Sequence, residues 1–348
     1  MDKQKIEQLR SGVQRNCHVS DARHGADYGL CSYLMKMREF YRWEKGLAFS
    51  ASLAKEAVGE WLTARESLWA DLGDEDFEPL AIEGREYDPF DSAAINRHLS
   101  GEGLVYSGGL GHGGKPHFFL GELERHADEG ACSVFVSGRE LARDLAAPPA
   151  MSQGGTIVVR RESLRRMLWE KLESWQWKRP ENALSRAFEC YDFESDLQGS
   201  LDRMAEDELE LVLLHERGEV IAGEWLGDDW DSMLIDLVGT PAELVARAVR
   251  DHIADSLSTL PKLTGMNRHS SIHFFIGNLN GFREALFPSL KAEYAAWVEG
   301  RSLKPLNGAA EQGEAHWKSV AREMMALHTE RGADSVSEIM GLSESRRL

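Results

Sequence analysis

The chain has 348 residues and a net charge of −18, with 42% apolar and 28% charged residues, ordinary values for one large or two modest soluble globular domains. That acidic balance argues against nucleic acid as a broad-surface partner, because phosphate neutralisation needs a basic face. No run of 18 apolar residues marks a membrane span, the opening MDKQKIEQLR has no apolar signal-peptide core, and Cys17, Cys31, Cys132 and Cys190 form no C-x-x-C pair, so a cytoplasmic location with reduced thiols is expected.

Residues 2–14 read as a short helix. Asn16–Glu44 follows, and read as a helix from Ser20 it sorts by the 3.6-residue period. Ala26, Leu30, Tyr33, Leu34, Met37, Phe40 and Tyr41 fall on an apolar face suited to a core. Asp21, His24, Tyr28, Cys31, Met35, Glu39 and Arg42 fall on an ionisable arc. A solvated face is usually filled with Lys and Glu, so His, Tyr and Cys suit a cleft or a helix interface. Ser20 or Asp21 would cap this helix. Ala48–Ala70 repeats the helical spacing, which predicts an antiparallel helix pair closed by the acidic turn Gly73–Glu78.

The texture changes between Pro79 and Val159. Leu80–Ile82, Leu104–Tyr106, His117–Leu120, Cys132–Val136 and Thr156–Val159 are short apolar runs bounded by Gly and Pro, which predicts strands. Helices are predicted at Asp91–Leu99 and around Arg139–Ala146. Beyond Arg161 the pattern is helical over Glu162–Trp175, Glu181–Cys190, Glu194–Leu226, Ala242–Leu257, Gly281–Val298 and Glu311–Gly332, with one strand-like run at Ser271–Ile276. The expected fold class is mainly α (α+β), a multi-helix core with a small β-containing insert. Its segments are a helical 1–73, an α+β subdomain at 74–154 and a helical domain at 155–348.

Glu208, His215 and Glu219 project within a narrow arc among Leu211, Val212, Ala222 and Leu226. Charges set into an apolar stripe are costly unless paired or bound to metal. On a later helix Asp251 and Asp255 look inward with Leu244 and Ala248, while His252 is turned about a quarter of a circle away. Glu208, His215 and Glu219, with Asp251 or His252 from the later helix, would converge as in bundle-core metal sites, and iron, manganese or zinc would suit them. For the later helix alone, pairing of Asp251 and Asp255 with Arg247 or Arg250 is the better account. Glu208 and His215, as Glu-x6-His, resemble one ligand motif of the helical haem-oxygenase-like di-iron proteins. That family's later Asp-x3-His is replaced here by Asp251, His252 and Asp255, a departure from its pattern. Asp21 and His24 would be further ligands or would orient the imidazoles, with Tyr28 or Glu39 available for proton transfer. For Asp21 and His24 a buried polar network is an equally good account.

Other motifs carry less. Ser107–Pro116 contains Gly-x4-Gly-Lys from Gly109, but Pro116 stands where a phosphate-binding loop needs Ser or Thr, and a strand follows instead of a helix. A flexible lid, or a hairpin carrying His112 and His117 towards a cleft, fits better than a nucleotide site, and an ordinary Gly-rich turn is the favoured account. The turn before Arg283 offers a weak anion site, and Arg160, Arg161, Arg165 and Arg166 are expected to pair with the chain's own carboxylates. Arg23, Arg38 and Arg42 are candidates for holding a small anionic ligand. No Gly-x-Ser-x-Gly, His-Glu-x-x-His or Rossmann glycine pattern is present. The leading expectation is a cytoplasmic metal-binding protein, possessing a His/carboxylate site between helices and a small-molecule substrate if it is an enzyme. The alternative is a non-enzymatic interaction or assembly protein that binds a protein partner and whose ionisable stripes are salt-bridge networks.

Overall fold

The computed structural model describes residues 1–111, 114–130, 132–266, 268–300 and 302–348. They form two compact units, Met1–Glu170 with Leu197–Asp202, and Lys171–Asp196 with Arg203–Leu348. The fold is mainly helical, and its strands all belong to the first unit. No described helix is long and apolar enough to cross a membrane.

The first unit begins with α1 (Lys3–His24), α2 (Leu30–Glu44) and α3 (Lys55–Leu72). A two-stranded hairpin, β1 (Leu80–Ile82) and β2 (Arg85–Tyr87), precedes α4 (Ser92–Leu99). Five strands then follow: β3 (Leu104–Leu110), β4 (Pro116–Glu129), β5 (Cys132–Arg143), β6 (Ala150–Gln153) and β7 (Thr156–Arg160). They order as β3-β4-β5-β7-β6, antiparallel except for the β5–β7 pair. The two-residue strand period sends Leu104, Tyr106, Phe118 and Leu120 to one face. There they meet Leu9, Val13 and Cys17, spaced four apart on α1, together with Ile95 and Leu99 of α4. Val105, Phe119, Phe135 and Val158 pack on the other face. Residues 1–73 and 74–154 therefore share a core, each large apolar side chain contributing roughly 1.5–3 kcal/mol by burial. α5 (Arg161–Lys178) starts directly after β7 and belongs to the first unit as far as Glu170.

Three expectations are corrected here. The helix read from Ser20 is instead α1, running unbroken from an Asp2 cap that accepts from the Lys5 amide at 2.9 Å, so Ser20 and Asp21 lie inside it and are buried. It stops at Gly25, where a short 3-10 turn begins, and α2 restarts at Leu30. The restart changes the phase: Met37 and Phe40 enter a core with Trp69 and Leu145, whereas Leu30 and Leu34 are exposed. Second, most of the helix expected at Arg139–Ala146 is strand, because β5 continues through Arg143 alongside β4. Its helix formers yield to pairing with a neighbouring strand. Third, Ser271–Ile276 is helical.

The second unit comprises α6 (Ala183–Phe188), α7 (Leu197–Leu226, whose first turns belong to the first unit), α8 (Asp228–Asp236), α9 (Pro241–Ala254), α10 (Leu260–Gly265), α11 (His269–Asn278), α12 (Gly281–Leu286), α13 (Pro288–Val298), α14 (Lys304–Arg331) and α15 (Val336–Ser345). The expected strand is α11, which buries Ile272, Phe274, Phe275 and Ile276 and packs on α6, where a Cβ at Gly277 would lie 2.9 Å from the Leu184 amide nitrogen. The predicted helix Gly281–Val298 divides at Phe287, with Pro288 opening α13. Thr240 caps α9 and Pro241 is its first residue, so this helix has both start signals. Five residues after it, Asp255–Thr259, form a π turn leading into α10.

Candidate metal centre

The feature that builds this centre is a close crossing of α7 and α9. A Cβ placed on Gly218 would fall 2.4 Å from the Ala254 carbonyl oxygen, so only glycine lets the two backbones approach this far. One helical turn around Gly218 lie His215 and Glu219, and around Ala254 lie Asp251 and Asp255. Helical spacing of three or four residues points both pairs into the crossing.

His215 Nδ1 lies 2.9 Å from Asp255 Oδ1. The carboxylate only accepts, so Nδ1 carries the proton and Nε2 is turned the other way. On that side Glu219 Oε1 is 3.4 Å from Nε2, and one ligand atom each of His215, Glu219 and Asp251 lies within 4.8 Å of the others. Asp255 is buried at 1% exposure, while His215 keeps 24%, so the deep carboxylate orients a ring that solvent still reaches. Two arginines complete the cluster. Arg250 Nη2 is 3.2 Å from Glu219 Oε1, and Arg283 from α12 donates to Asp255 Oδ2, with its Nε 3.6 Å from Asp251 Oδ2.

The electrostatics follow from these contacts. Burial opposes a charged ring, yet Asp255 and Glu219 hold the His215 pKa well above 6.5. Burial also opposes ionised Glu219, but His215 and Arg250 bring it down to about 2. Asp255 is lowered in the same way by Arg283 and His215. Asp251 differs, since burial outweighs Arg283 and raises its pKa. With His215 protonated, three carboxylates face three cations. Once that proton leaves, Nε2, Glu219 and Asp251 offer one imidazole and two carboxylates, a donor set that suits iron, manganese or zinc. Asp255 then takes the part of the outer carboxylate that fixes a ligand histidine.

The remaining candidates lie elsewhere. Glu208 is buried seven residues before His215, accepting from Ser271 Oγ at 3.1 Å, and burial raises its pKa to about 8. His252 binds the Arg283 carbonyl oxygen through Nε2 at 2.9 Å and stacks on Trp317, where burial lowers its pKa to about 4. It therefore fixes α12 in place and does not join the cluster. Asp21 and His24 belong to the first unit, where Asp21 accepts from the Leu145 amide at 2.8 Å and His24 lies 3.3 Å from Asp27 near the surface. Tyr28, with Lys36 and Lys115 against its ring, has its pKa pushed up to about 12 by burial and nearby Asp144. Arg23 donates to the Gly73 and Glu75 carbonyls and tethers that turn. Glu39 is buried between Arg38 and Arg42, and Arg42 also donates to the Ala48 and Ala51 carbonyls. Arg160, Arg161 and Arg165 pair with Glu140, Glu124 and Asp202. His117 donates to Asp144 at 2.9 Å, and His112 lies outside the described residues.

The sequence places Asp255 inward and offers Arg247 or Arg250 as salt-bridge partners for Asp251 and Asp255, but it does not bring Arg283 and Gly218 into the same site. The available signal was Gly218 itself, a helix-interior glycine that costs about 1 kcal/mol relative to Ala and so points to a close contact.

Fold and cluster together define a mainly helical protein whose second unit carries a His/carboxylate/arginine centre at a glycine-spaced helix crossing. The chain belongs to the family of unknown function DUF6866, matching its N-terminal domain over residues 8–160 and its C-terminal domain over residues 165–346. No curated protein and no solved structure matches it.

Proposed function

We propose that the protein is a cytoplasmic metal-binding protein that holds a divalent iron, manganese or zinc ion through His215 Nε2, Glu219 and Asp251. The observation that carries this reading is the hydrogen bond from His215 Nδ1 to buried Asp255, which aims Nε2 at the two carboxylates. A bound ion would supply Lewis acidity for activating water or dioxygen toward a small-molecule substrate. Tyr28 and Glu39 lie in the first unit, and the chemistry proposed for this centre does not use them.

Elemental analysis of protein purified without added metal, followed by titration of chelator-stripped protein with Mn2+, Fe2+ and Zn2+, tests the proposal. The expected result is one bound ion per chain, lost in His215→Ala while the circular dichroism spectrum is kept. Protein that takes up none of the three overturns it.

A second reading is an interaction or assembly protein in which the cluster is a structural charge network. It is favoured by Arg250 and Arg283, which already pair with Glu219, Asp251 and Asp255. Under that reading His215→Ala lowers stability and leaves metal content unchanged.

A further inference from the structure

Two adjoining cavities of the first unit, of about 560 Å3 and 330 Å3, share Trp43, Gly46 and Glu162 in their linings. They sit where β7 gives way to α5. β7 runs parallel to β5, with Arg160 beside Ser137, and α5 begins at the next residue. The carboxyl end of a parallel strand that feeds a helix is a favoured ligand position in α/β sheets, because the helix's first amide N–H groups face outward there. Glu162 occupies that first turn, and its Oε2 accepts from the Glu140 amide at 2.6 Å.

The walls are rich in guanidinium groups despite the chain's net charge of −18. Arg10, Arg65 and Arg139 line the larger cavity and Arg42, Arg165 and Arg166 the smaller, against four glutamates in all. Several of these arginines are held in place by ion pairs, Arg165 with Asp202 and Arg139 with Glu122 among them. The glutamates do not simply cancel them. Glu39 lines the smaller cavity at 1% exposure, and its Oε1 faces both Arg38 and Arg42. Its Oε2 has no hydrogen-bond partner among the described residues. A buried carboxyl oxygen without a partner is costly and marks a place where an absent group would bond. Burial also raises the Glu39 pKa, and burial with Glu140 raises that of Glu162 to about 7. Near neutral pH Glu162 can therefore present an O–H group, which donates to an anion where a carboxylate would repel it.

We propose that these adjoining cavities bind a small molecule bearing a phosphate or carboxylate group, held by the lining arginines with Glu39 and Glu162 as further polar contacts. The site stands independently of the metal centre, since every residue in it belongs to the first unit.

Calorimetric titration of the full chain with pyrophosphate and with citrate, at constant ionic strength, tests this. Saturable binding of either supports the proposal, and the preferred one identifies phosphate or carboxylate as the recognised group. Arg139 and Arg165 are partly exposed, so Arg139→Gln and Arg165→Gln should keep the wild-type Tm. At least one should weaken binding about tenfold, the loss of one charged hydrogen bond. No binding of either anion at millimolar concentration, or binding that both variants leave unchanged, overturns it.

Discussion

Two stretches of α7 meet their surroundings in opposite ways. At Glu208 a carboxyl is buried with a serine hydroxyl for company and one oxygen without a partner among the described residues, so burial raises its pKa to about 8. Three turns later, Glu219 is also buried, yet His215 and Arg250 take its pKa down to about 2. The same residue type on the same helix is thus a neutral acid at one end and a firm anion at the other. Burial sets the penalty, and neighbours decide whether the charge survives it.

The largest effect expected is from removing the group that organises the charged end. Asp255→Ala leaves the Arg283 guanidinium and the His215 ring without their buried partner, and should cost about 3–5 kcal/mol in urea unfolding. Gly218→Ala comes next. Its methyl would overlap the Ala254 carbonyl, forcing α7 and α9 apart at a cost of about 1–3 kcal/mol and abolishing metal uptake.

Glu208→Gln should work in the other direction. The folded-state pKa of Glu208 is raised, so its contribution is fully present below the ordinary value of 4.5 and is lost as pH climbs toward about 8. Glutamine removes that loss, stabilising the protein by about 2 kcal/mol at pH 8 and flattening the alkaline side of the Tm curve. A variant less stable than wild type at pH 8 would show that Glu208 is paired after all.

His215 also has a raised folded-state pKa, so its pairing stabilises fully below 6.5 and fades as pH rises through the folded value. A metal must displace the same proton. Metal affinity should therefore rise about tenfold per pH unit while His215 remains protonated, with proton release seen as buffer-dependent heat. His24→Ala should do least, changing stability by no more than about 0.5 kcal/mol and metal content not at all, because its pair with Asp27 is near the surface.

Helical periodicity made much of this legible. It found the inward faces of α7 and α9 and so paired His215 and Glu219 with Asp251. It also grouped Glu208 with them, since an arc records direction and not depth. Seven residues along a helix is about 10 Å, enough to carry Glu208 out of the cluster and under Ser271. The same limit applies to His252, which lies beside Asp251 in sequence but faces Trp317. α11 reads as a strand because Ile272, Phe274, Phe275 and Ile276 form a short apolar run, and a run this short fits either period. Arg283 was out of reach for a different reason: its role comes from where α12 packs on α9, a tertiary fact with no local signature.

The π turn at Asp255–Thr259 has a consequence for how the chain could change over time. Its Leu260 amide reaches back five residues to the Asp255 carbonyl, so this turn holds one residue more than an α-helical turn would. Removing one residue from 256–259 would turn this wide turn into an ordinary α-helical one and leave the chain beyond it nearly in phase, so Arg283 would still meet Asp255. The same deletion inside regular α9 would rotate all that follows by about 100°. A one-residue loss should therefore be accepted more readily in this short segment than anywhere else along the helix.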